Sequence, residues 1–471
     1  MRIEARWFMP LKHAMPKHLV LDSMHCCSDN RRMFKSEGKS MSVSVESSAD
    51  VAPTHAPAGA QPQVLAHRTL AARPSEVRKV FRAAQRPDMI SFANGAPYLG
   101  ALPFDRIALD AHRILLDSGE RSFQYGSSNG IPELRAHIAE LMKLEGITAS
   151  PERVLVTAGS QQALDVAARV LVNPGDVIFA EAPSYAGGMA VFTSYEAEIV
   201  HVPMDADGII PNELERLVSE VRAAGKTAKG LYTIPNFQNP GGVNLSAERR
   251  LQVGELCRDN GLLIFEDNPY GLLGFDGETM PAIQPGFEEI TLYFGSFSKM
   301  IAPGLRVGWV LPPESLYGHL VNASETSQLN PSVFSQQLIS AYLDDPAWQD
   351  KLVEYRGIYH EKFNALVETL EEVMPTGTTW NRPTGGFYLW IKVPEGIDTE
   401  ALVYECIERG VVYVPGTAFY TDGSGHSELR MSFCLPSLAD IRKGAGILGE
   451  VFRDAASKAG LGNASTLPAI G

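Results

Sequence analysis

The sequence predicts an α/β protein with a large, mostly parallel sheet and a smaller α+β domain. Its 471 residues, 45% of them apolar, suffice for one large domain and a smaller one. Short apolar runs alternate with segments of helical spacing, and each run ends in turn or polar residues. Because the runs are apolar on both faces, they are typical of a parallel sheet with helices on both faces. The runs are residues 154–157, 177–181, 230–235, 262–267, 291–296 and 307–311.

A different pattern begins near residue 345. A long polar segment with helical spacing comes first, three apolar runs follow, and a helix is predicted near residues 437–456. The three runs are residues 387–393, 411–415 and 429–433. The predicted organisation is therefore a disordered N-terminal extension (1–62), an N-terminal arm with part of the small domain (63–105), a large domain (106–340), a small C-terminal domain (341–456) and a tail (457–471).

The N-terminal extension differs in composition from the rest of the chain. Residues 1–40 carry eight Lys or Arg against four Asp or Glu, and residues 41–62 are rich in Ser, Ala and Pro without periodicity. Such composition is typical of disorder. A targeting peptide is the alternative, but residues 1–40 lack an apolar core and include Glu4 and Asp22. Met41 is an alternative start of the mature protein.

Charge and cysteine content exclude several classes of function. The formal net charge is −14 and the pI is about 5.3, so the surface repels nucleic-acid phosphates and anionic lipids. No run of 18 apolar residues is present, so no membrane span is predicted. Five cysteines are too few for a disulfide framework, and no pair has metal-ligand spacing. These features favour a reduced, cytoplasmic protein without metal, nucleic-acid or membrane partners.

The most informative segment is GSFSKMIAPGLRVGW, residues 295–309. Lys299 follows an apolar strand among small residues, which suits a lysine that forms a Schiff base with a bulky cofactor. Ser296 and Ser298 offer hydroxyl donors, and Arg306 offers a forked cation for a phosphate. A lone Ser-x-Ser-Lys is more often a surface junction, but the Pro-Gly-Leu-Arg-x-Gly-Trp that follows argues against that interpretation.

With four other motifs, this segment resembles the class I and II aminotransferases, which are pyridoxal 5'-phosphate (PLP) enzymes of fold type I. The resemblance covers about residues 70–455 and is closest to the branch of 2-aminoadipate, kynurenine and aromatic aminotransferases. It implies a homodimer with shared active sites that acts on L-amino acids and 2-oxo acids, with 2-oxoglutarate as the expected acceptor. The motifs are TAGSQQ (157–162), EAPSYAGG (181–188), PNFQNPGG (235–242) and FEDNPYG (265–271).

The resemblance assigns several residues to the cofactor phosphate. Gly159, Ser160 and Gln161 form a turn before a helix, and the N–H groups at a helix N-terminus bind anions. A plain helix cap at Ser160 is the alternative. Tyr125, in FQYGSSNG, is expected to reach the phosphate of the neighbouring subunit, with a core tyrosine as the alternative.

Other residues are assigned to the cofactor ring. Tyr185 is expected to stack on the ring, because an aromatic side chain at a strand end can lie flat on a pyridine. Asp267 is expected to keep the pyridine nitrogen protonated. Asn239 and Tyr270 match the partners of the phenolate oxygen, and Asn239 is also assigned to the substrate. Glu266 is expected to point away, since neighbouring strand residues face opposite sides.

The substrate contacts are Arg430, Arg78, Asn94 and Gly95. The resemblance places Arg430, in LRMSF, at the substrate α-carboxylate, and an outward-facing edge arginine is the alternative. Arg78 matches a second, mobile substrate arginine, although amphipathic helices often carry exposed arginines. Where relatives have Phe-x-Gly-Gly-x-Pro, this chain has Phe-Ala-Asn-Gly-Ala-Pro over residues 92–97. Asn94 therefore replaces a glycine, which leaves the substrate (aromatic, 2-aminoadipate-like or branched) open.

The implied reaction is transamination in two halves, with Lys299, Asp267 and Tyr185 as the catalytic residues. Lys299 is expected to move a proton at the substrate Cα. A PLP-dependent β-lyase of the same fold shares these residues and is the alternative enzyme. An aminotransferase-like transcriptional regulator is the alternative from another class. Such regulators carry a basic winged helix-turn-helix ahead of the domain, and residues 1–62 lack helical periodicity, which disfavours this interpretation.

Overall fold

The structure, a computed structural model, describes residues 66–70, 80 and 82–461. The predicted extension over residues 1–62 and Arg78 lie outside the described residues. The strands are β1 (Ile90–Ser91), β2 (Leu155–Thr157), β3 (Val177–Ala182), β4 (Glu198–Asp205), β5 (Gly208–Ile209), β6 (Ala228–Thr233), β7 (Leu263–Asp267), β8 (Thr291–Ser296), β9 (Gly308–Leu311), β10 (Thr379–Trp380), β11 (Tyr388–Lys392), β12 (Val411–Val412), β13 (Val414–Pro415) and β14 (Glu428–Ser432). The helices are α1 (His67–Leu70), α2 (Phe104–Phe123), α3 (Pro132–Met142), α4 (Ser160–Leu171), α5 (Ala186–Ser194), α6 (Pro211–Ala223), α7 (Ala247–Asp259), α8 (Glu314–Gln328), α9 (Val333–Asp344), α10 (Ala347–Val373), α11 (Thr399–Glu408) and α12 (Leu438–Lys458).

The large sheet has eight strands in the order β2-β9-β8-β7-β6-β3-β4-β5. The five strands from β8 to β4 are parallel to one another, which confirms the mostly parallel sheet. β9 instead runs antiparallel to both β8 and β2. The connection between β8 and β9 spans only residues 297–307, and a parallel crossover needs about a dozen residues or more. The chain therefore turns back beside β8, and this turn contains Lys299 and Arg306.

Helices cover both faces of this sheet. Along β3, Ile178 and Ala180 belong to a core cluster that includes residues of α4 and α5. Val177 and Phe179 belong to a second cluster that includes residues of α6 and α7. Alternate strand residues thus enter two separate cores, as the runs that are apolar on both faces predict. β4 escapes sequence prediction because only one of its eight residues is buried, so no apolar run marks it.

A smaller antiparallel sheet has the order β10-β11-β14-β13, and helices α10 and α12 pack against each other. The predicted single strand over residues 411–415 is wrong in one respect. It divides into β12, which pairs with β1, and β13, which pairs with β14. The buried Tyr413 lies between them, and its hydroxyl donates to the carbonyl of Thr399 at 2.6 Å. The predicted domain boundaries stay predictions.

None of the described helices is long and apolar enough to cross a membrane. Within the same part of the chain, no group of three or more His, Cys, Asp or Glu side chains is arranged to hold a metal ion. Cys257, Cys406 and Cys434 are free and buried, and burial raises the pKa of each thiol.

Candidate active site

A cavity of about 520 Å³ lies at the carboxyl ends of the parallel strands of the large sheet. In open α/β sheets this edge is the usual place for a ligand, because loops leave it in several directions. Most of the predicted site residues meet here. Those that line the cavity are Asn94, Gly95, Ser160, Gln161, Tyr185, Asn239, Asp267, Tyr270, Ser296, Ser298, Lys299, Arg306 and Arg430.

Tyr125 does not line this cavity. Its side chain is exposed, at 77% of the accessible area, so the alternative of a core tyrosine is wrong for this chain by itself. Its predicted contact with a second subunit stays a prediction. Gly159 lies next to the cavity rather than in its wall, and Arg78 lies outside the described residues.

One end of the cavity is built to bind an anion. Helix α4 begins at Ser160, and Gly159, with φ 87°, precedes it as the cap residue, so the alternative of a Ser160 cap is wrong. A Cβ on Gly159 would lie 2.6 Å from Arg306 Nη2 and would displace this guanidinium, and the positive φ also disfavours a side chain here. A Cβ on Gly308 would lie 2.5 Å from the backbone nitrogen of Ser160. The two glycines thus let an arginine and a strand approach the N–H groups of a helix N-terminus.

Arg306 is held at this end by the backbone alone. It is exposed and adopts a left-handed conformation, with φ 52° and ψ 54°. Its Nη2 donates to the carbonyl of Ala158 at 3.0 Å. Such a conformation is uncommon for a side chain larger than glycine and is often found at functional sites. Ser296 and Ser298 line the same cavity, and the Ser296 hydroxyl accepts from the Ser298 N–H at 3.1 Å.

Lys299 lies between this anion site and the N-terminal segment. Its Nζ donates to the carbonyl oxygen of Gly95 at 2.8 Å. Gly95 has no room for a side chain, because a Cβ there would lie 1.9 Å from the hydroxyl oxygen of Tyr388. Asn94 lines the cavity beside this contact, is partly buried, and forms no hydrogen bond to another described residue through its side-chain amide.

Asp267 has one satisfied and one unsatisfied oxygen. It ends β7 and is buried, and its Oδ2 accepts from the Tyr232 hydroxyl at 2.9 Å. Oδ1 is buried and has no hydrogen-bond partner among the described residues. Burial raises the pKa of Asp267 to about 6, against the Tyr232 hydrogen bond and the charge of Lys299, which lower it. A buried carboxylate oxygen in a cavity wall calls for a donor from a ligand, and a protonated pyridine nitrogen is such a donor.

Glu266 faces the other side of the sheet, as predicted. It accepts from the backbone N–H groups of Ile283 at 2.8 Å and Gln284 at 2.9 Å. Tyr232, by contrast, is a site residue that sequence reasoning missed. It pairs in register with Phe265 on the neighbouring strand, so it shares a face with Asp267. The alternation of side chains along β6 and β7 could have placed Tyr232 on one face of the sheet. Only the pairing register of the two strands shows that its hydroxyl reaches the Asp267 carboxylate.

Tyr185 and Tyr270 lie at the middle of the cavity. The Tyr185 hydroxyl donates to Gln161 Oε1 at 3.3 Å, and burial, followed by the charge of Asp267, raises the pKa of Tyr185 to about 12. The hydroxyl groups of Tyr270 and Tyr388 are 3.2 Å apart, and burial raises the pKa of Tyr270. The Tyr185 and Tyr270 phenols therefore remain neutral hydrogen-bond donors near neutral pH.

Arg430 forms the other charged end of the cavity. It is buried on β14, an interior strand of the small sheet, so the alternative of an outward-facing edge arginine is wrong. Nη1 donates to Asn239 Oδ1 at 2.8 Å and Nη2 to the carbonyl of Ala93 at 2.7 Å. The guanidinium lies 4.3 Å from the ring centre of Tyr388 and 4.9 Å from that of Phe419. Sequence reasoning missed both rings, because neither stands in a motif.

Comparison with known proteins shows which family the chain belongs to. A sequence profile of the family Aminotransferase class I and II matches residues 87–448. Aromatic-amino-acid aminotransferase 1 of Thermococcus litoralis is 35% identical over 393 residues, which cover 83% of this chain and 94% of that protein. 2-Aminoadipate transaminase of Thermus thermophilus is 33% identical over 385 residues, which cover 80% and 94%. The crystal structure of Pyrococcus horikoshii kynurenine aminotransferase in complex with PMP has a TM-score of 0.79 at 33% identity, over 83% of this chain and 97% of that chain. The chain therefore belongs to the class I and II aminotransferases and is a PLP-dependent enzyme of fold type I.

Proposed function

We propose that this enzyme transfers the amino group of an aromatic, 2-aminoadipate-like or branched L-amino acid to a 2-oxo acid, with 2-oxoglutarate as the acceptor. The observation that carries the proposal is the unpaired buried oxygen of Asp267, in one cavity with Lys299 and Arg430. These three groups suit a pyridine nitrogen, a reacting carbon and an α-carboxylate. The names of the relatives from Thermococcus and Thermus support the aromatic and 2-aminoadipate classes.

Each group of residues has its own task in the proposed site. PLP, when bound, supplies an electron-withdrawing ring that stabilises negative charge at the substrate Cα. Asp267 would accept a hydrogen bond from the ring nitrogen and keep it protonated. Tyr185 would contact the ring face, and Asn239 and Tyr270 would donate to the phenolate oxygen. The phosphate contacts are Gly159, Ser160, Gln161, Ser296, Ser298 and Arg306.

Lys299 is the proposed proton carrier at the substrate Cα. Its contact with the Gly95 carbonyl holds Nζ at the junction of the cofactor and substrate halves of the cavity. A lysine in this role acts as a base only in its neutral form. Arg306 and Arg430 are the cationic side chains, besides Lys299 itself, that line the cavity in the described chain.

Arg430 is the proposed ligand of the substrate α-carboxylate. A guanidinium presents two parallel N–H groups that match a carboxylate. Asn94 and Gly95 are the proposed contacts nearest the substrate side chain. They follow Ala93, whose carbonyl accepts from Arg430, and the Gly95 carbonyl accepts from Lys299. Arg78 remains a proposed second substrate arginine.

We further propose a cytoplasmic homodimer. Tyr125, Phe123 and Leu116 are 77%, 78% and 72% exposed, an apolar surface at the end of α2 that a second subunit would cover. Tyr125 would then reach the neighbouring phosphate site. The free cysteines of the described chain support a reducing compartment.

The test is the half-reaction with an amino donor alone. Holoenzyme mixed with one amino acid and no 2-oxo acid is expected to yield pyridoxamine phosphate and the matching 2-oxo acid in equal amounts, measured by absorbance and mass spectrometry. The same mixture with a cysteine S-conjugate, which carries a thiol leaving group on Cβ, tests the β-lyase alternative. Release of the thiol, ammonia and pyruvate without pyridoxamine phosphate would establish that alternative. Lys299→Ala is the negative control, since it lacks the proposed proton carrier. A panel of donors with 2-oxoglutarate then ranks the side-chain classes by kcat/KM.

A further inference from the structure

Glu181 is a buried carboxylate outside the cavity wall. It lies on β3 and is 2% exposed. Its oxygens accept from Thr233 Oγ1 at 2.5 Å, from the N–H of Ile234 at 3.2 Å and from Gln238 Nε2 at 2.8 Å. No ion pair within the described chain involves it. Burial raises the pKa of Glu181 to about 7, against the hydrogen bonds from Thr233, Gln238 and Ile234, which lower it. The charged form therefore depends on these hydrogen bonds, which hold the three donors in place.

Gln238 carries this constraint into the turn that contains Asn239. Its Nε2 also donates to the carbonyl of Pro183 at 2.8 Å, and its Oε1 accepts from the N–H of Gly241 at 2.5 Å. The side-chain amide thus fixes the residues on both sides of Asn239. Asn239 Oδ1 in turn accepts from Arg430 Nη1. The carboxylate is therefore linked to the guanidinium in three steps. These are the Gln238 hydrogen bond, the peptide bond from Gln238 to Asn239, and the hydrogen bond between Asn239 and Arg430.

The backbone carbonyl of Glu181, at the end of β3, is also linked through His201 to the loop whose Phe419 ring contacts Arg430. The carbonyl of Glu181 accepts from His201 Nδ1 at 3.0 Å, and His201 Nε2 accepts from the N–H of Thr421 at 3.0 Å. In these two contacts Nδ1 donates and Nε2 accepts. They tie the strand to the loop that carries Phe419, whose ring lies against the Arg430 guanidinium.

We propose that Glu181 is a positioning residue for the carboxylate site, and that it holds the 234–241 turn in the conformation that aims Asn239 at Arg430. Asn239 Oδ1 and the Ala93 carbonyl are the two acceptors that orient the guanidinium. If the turn moved, the Arg430 guanidinium would rotate. Its two N–H groups would then no longer meet the two oxygens of a substrate carboxylate at the same time. The inference rests on the proposed role of Arg430.

The test is Glu181→Gln in the full-length holoenzyme. An amide in place of the carboxylate presents N–H groups to at least one of the three donors, so the turn must shift. The dissociation constant of 3-phenylpropionate, a carboxylate without an amino group, is titrated by the cofactor absorbance. We expect it to rise about tenfold, with a parallel rise in donor KM and a kcat within about threefold of wild type. The PLP dissociation constant should rise by a smaller factor than that of 3-phenylpropionate, because Asn239 is only one of the proposed cofactor contacts and the phosphate contacts are unchanged.

Two further variants make the result specific. Glu266→Gln is the matched control, because it replaces another fully buried carboxylate whose partners are the N–H groups of Ile283 and Gln284. It should lower the melting temperature but leave 3-phenylpropionate affinity within about twofold. Thr233→Val removes a single donor, and should raise the dissociation constant about threefold even if Glu181→Gln fails to fold.

The outcomes separate this inference from the proposed function. Unchanged 3-phenylpropionate affinity in both Glu181→Gln and Thr233→Val would overturn the positioning role of Glu181. A loss of this affinity in Glu266→Gln as large as that in Glu181→Gln would overturn it too. Neither outcome would affect the proposed role of Arg430 as the carboxylate ligand. If Arg430→Gln leaves the affinity unchanged, the proposed role of Arg430 is wrong and the inference falls with it.

Discussion

The cavity has a proposed cofactor half, which includes Gln161, Tyr185, Asp267, Tyr270 and Arg306, and a proposed substrate half, which includes Asn94, Gly95 and Arg430. The contacts that hold the two halves differ in the sequence separation of their partners. In the cofactor half, Asp267 meets Tyr232 from 35 residues away and Tyr185 meets Gln161 from 24 residues away. In the substrate half, Arg430 meets Asn239 across 191 residues and the Ala93 carbonyl across 337. Arg306 and Tyr270 are exceptions in the cofactor half, since Arg306 bonds a carbonyl 148 residues earlier and the Tyr270 hydroxyl contacts that of Tyr388 118 residues later.

This difference has a physical consequence for the two halves. The cofactor half is built at successive strand ends of one sheet, so hydrogen bonding between neighbouring strands fixes its geometry. The substrate half joins the small sheet, the N-terminal segment and a turn of the large sheet, so its geometry depends on how these parts pack. We therefore expect changes in the cofactor half to affect the chemical step, and changes in the substrate half to affect recognition.

The largest effect is expected for Asp267→Asn. An amide cannot hold the positive charge of a protonated ring nitrogen, so kcat should fall by roughly a thousandfold. The affinity for 3-phenylpropionate, titrated in parallel, should stay within about twofold because Arg430 is untouched. Tyr232→Phe, which removes only the hydroxyl that donates to Oδ2, is the milder companion variant. Turnover near the wild-type rate would mean that another group protonates the ring.

Arg430→Gln should have the next largest effect. Loss of the forked cation at a buried site should lower kcat/KM for the amino donor about a hundredfold, mostly through KM. The PLP dissociation constant should be unchanged, and equilibrium titration of the apoenzyme measures it. Arg306→Gln, at the opposite end, should give the reverse result, with weaker PLP binding and little change in donor KM once the enzyme is saturated. Equal losses of PLP affinity in both variants would contradict the division into halves.

The smallest effect is expected for Asn94→Gly. Asn94 lines the cavity without a hydrogen bond to another described residue, so its removal should leave the cofactor absorbance and the melting temperature nearly unchanged. The ranking of amino donors by kcat/KM should shift, with changes of up to about tenfold that differ between aromatic and 2-aminoadipate-like donors. Asn94→Ala separates lost side-chain volume from added backbone freedom. A uniform change across all donors would show that Asn94 does not select among them.

Sequence reasoning predicted which residues line the proposed cofactor half, because these residues stand in short motifs at strand ends. Asp267, Lys299 and Tyr185 each follow an apolar run, and parallel strands bring such ends together at one edge. It failed where partners lie on separate segments without a motif. Tyr388 and Phe419, which enclose the Arg430 guanidinium, are single aromatics in apolar surroundings, and nothing local distinguishes them from ordinary core residues.

By itself the sequence determined the class of fold and predicted the lysine and most of the side chains that line the cavity, since alternating apolar runs and strand-end motifs are local properties. Only the tertiary structure decided that β9 turns back against β8 and that residues 411–415 divide between two sheets. Tertiary structure also left one oxygen of Asp267 unpaired and bonded Arg430 to Asn239. The reason is that strand pairing, burial and the partner of a charged group depend on packing between segments hundreds of residues apart, which no local pattern encodes.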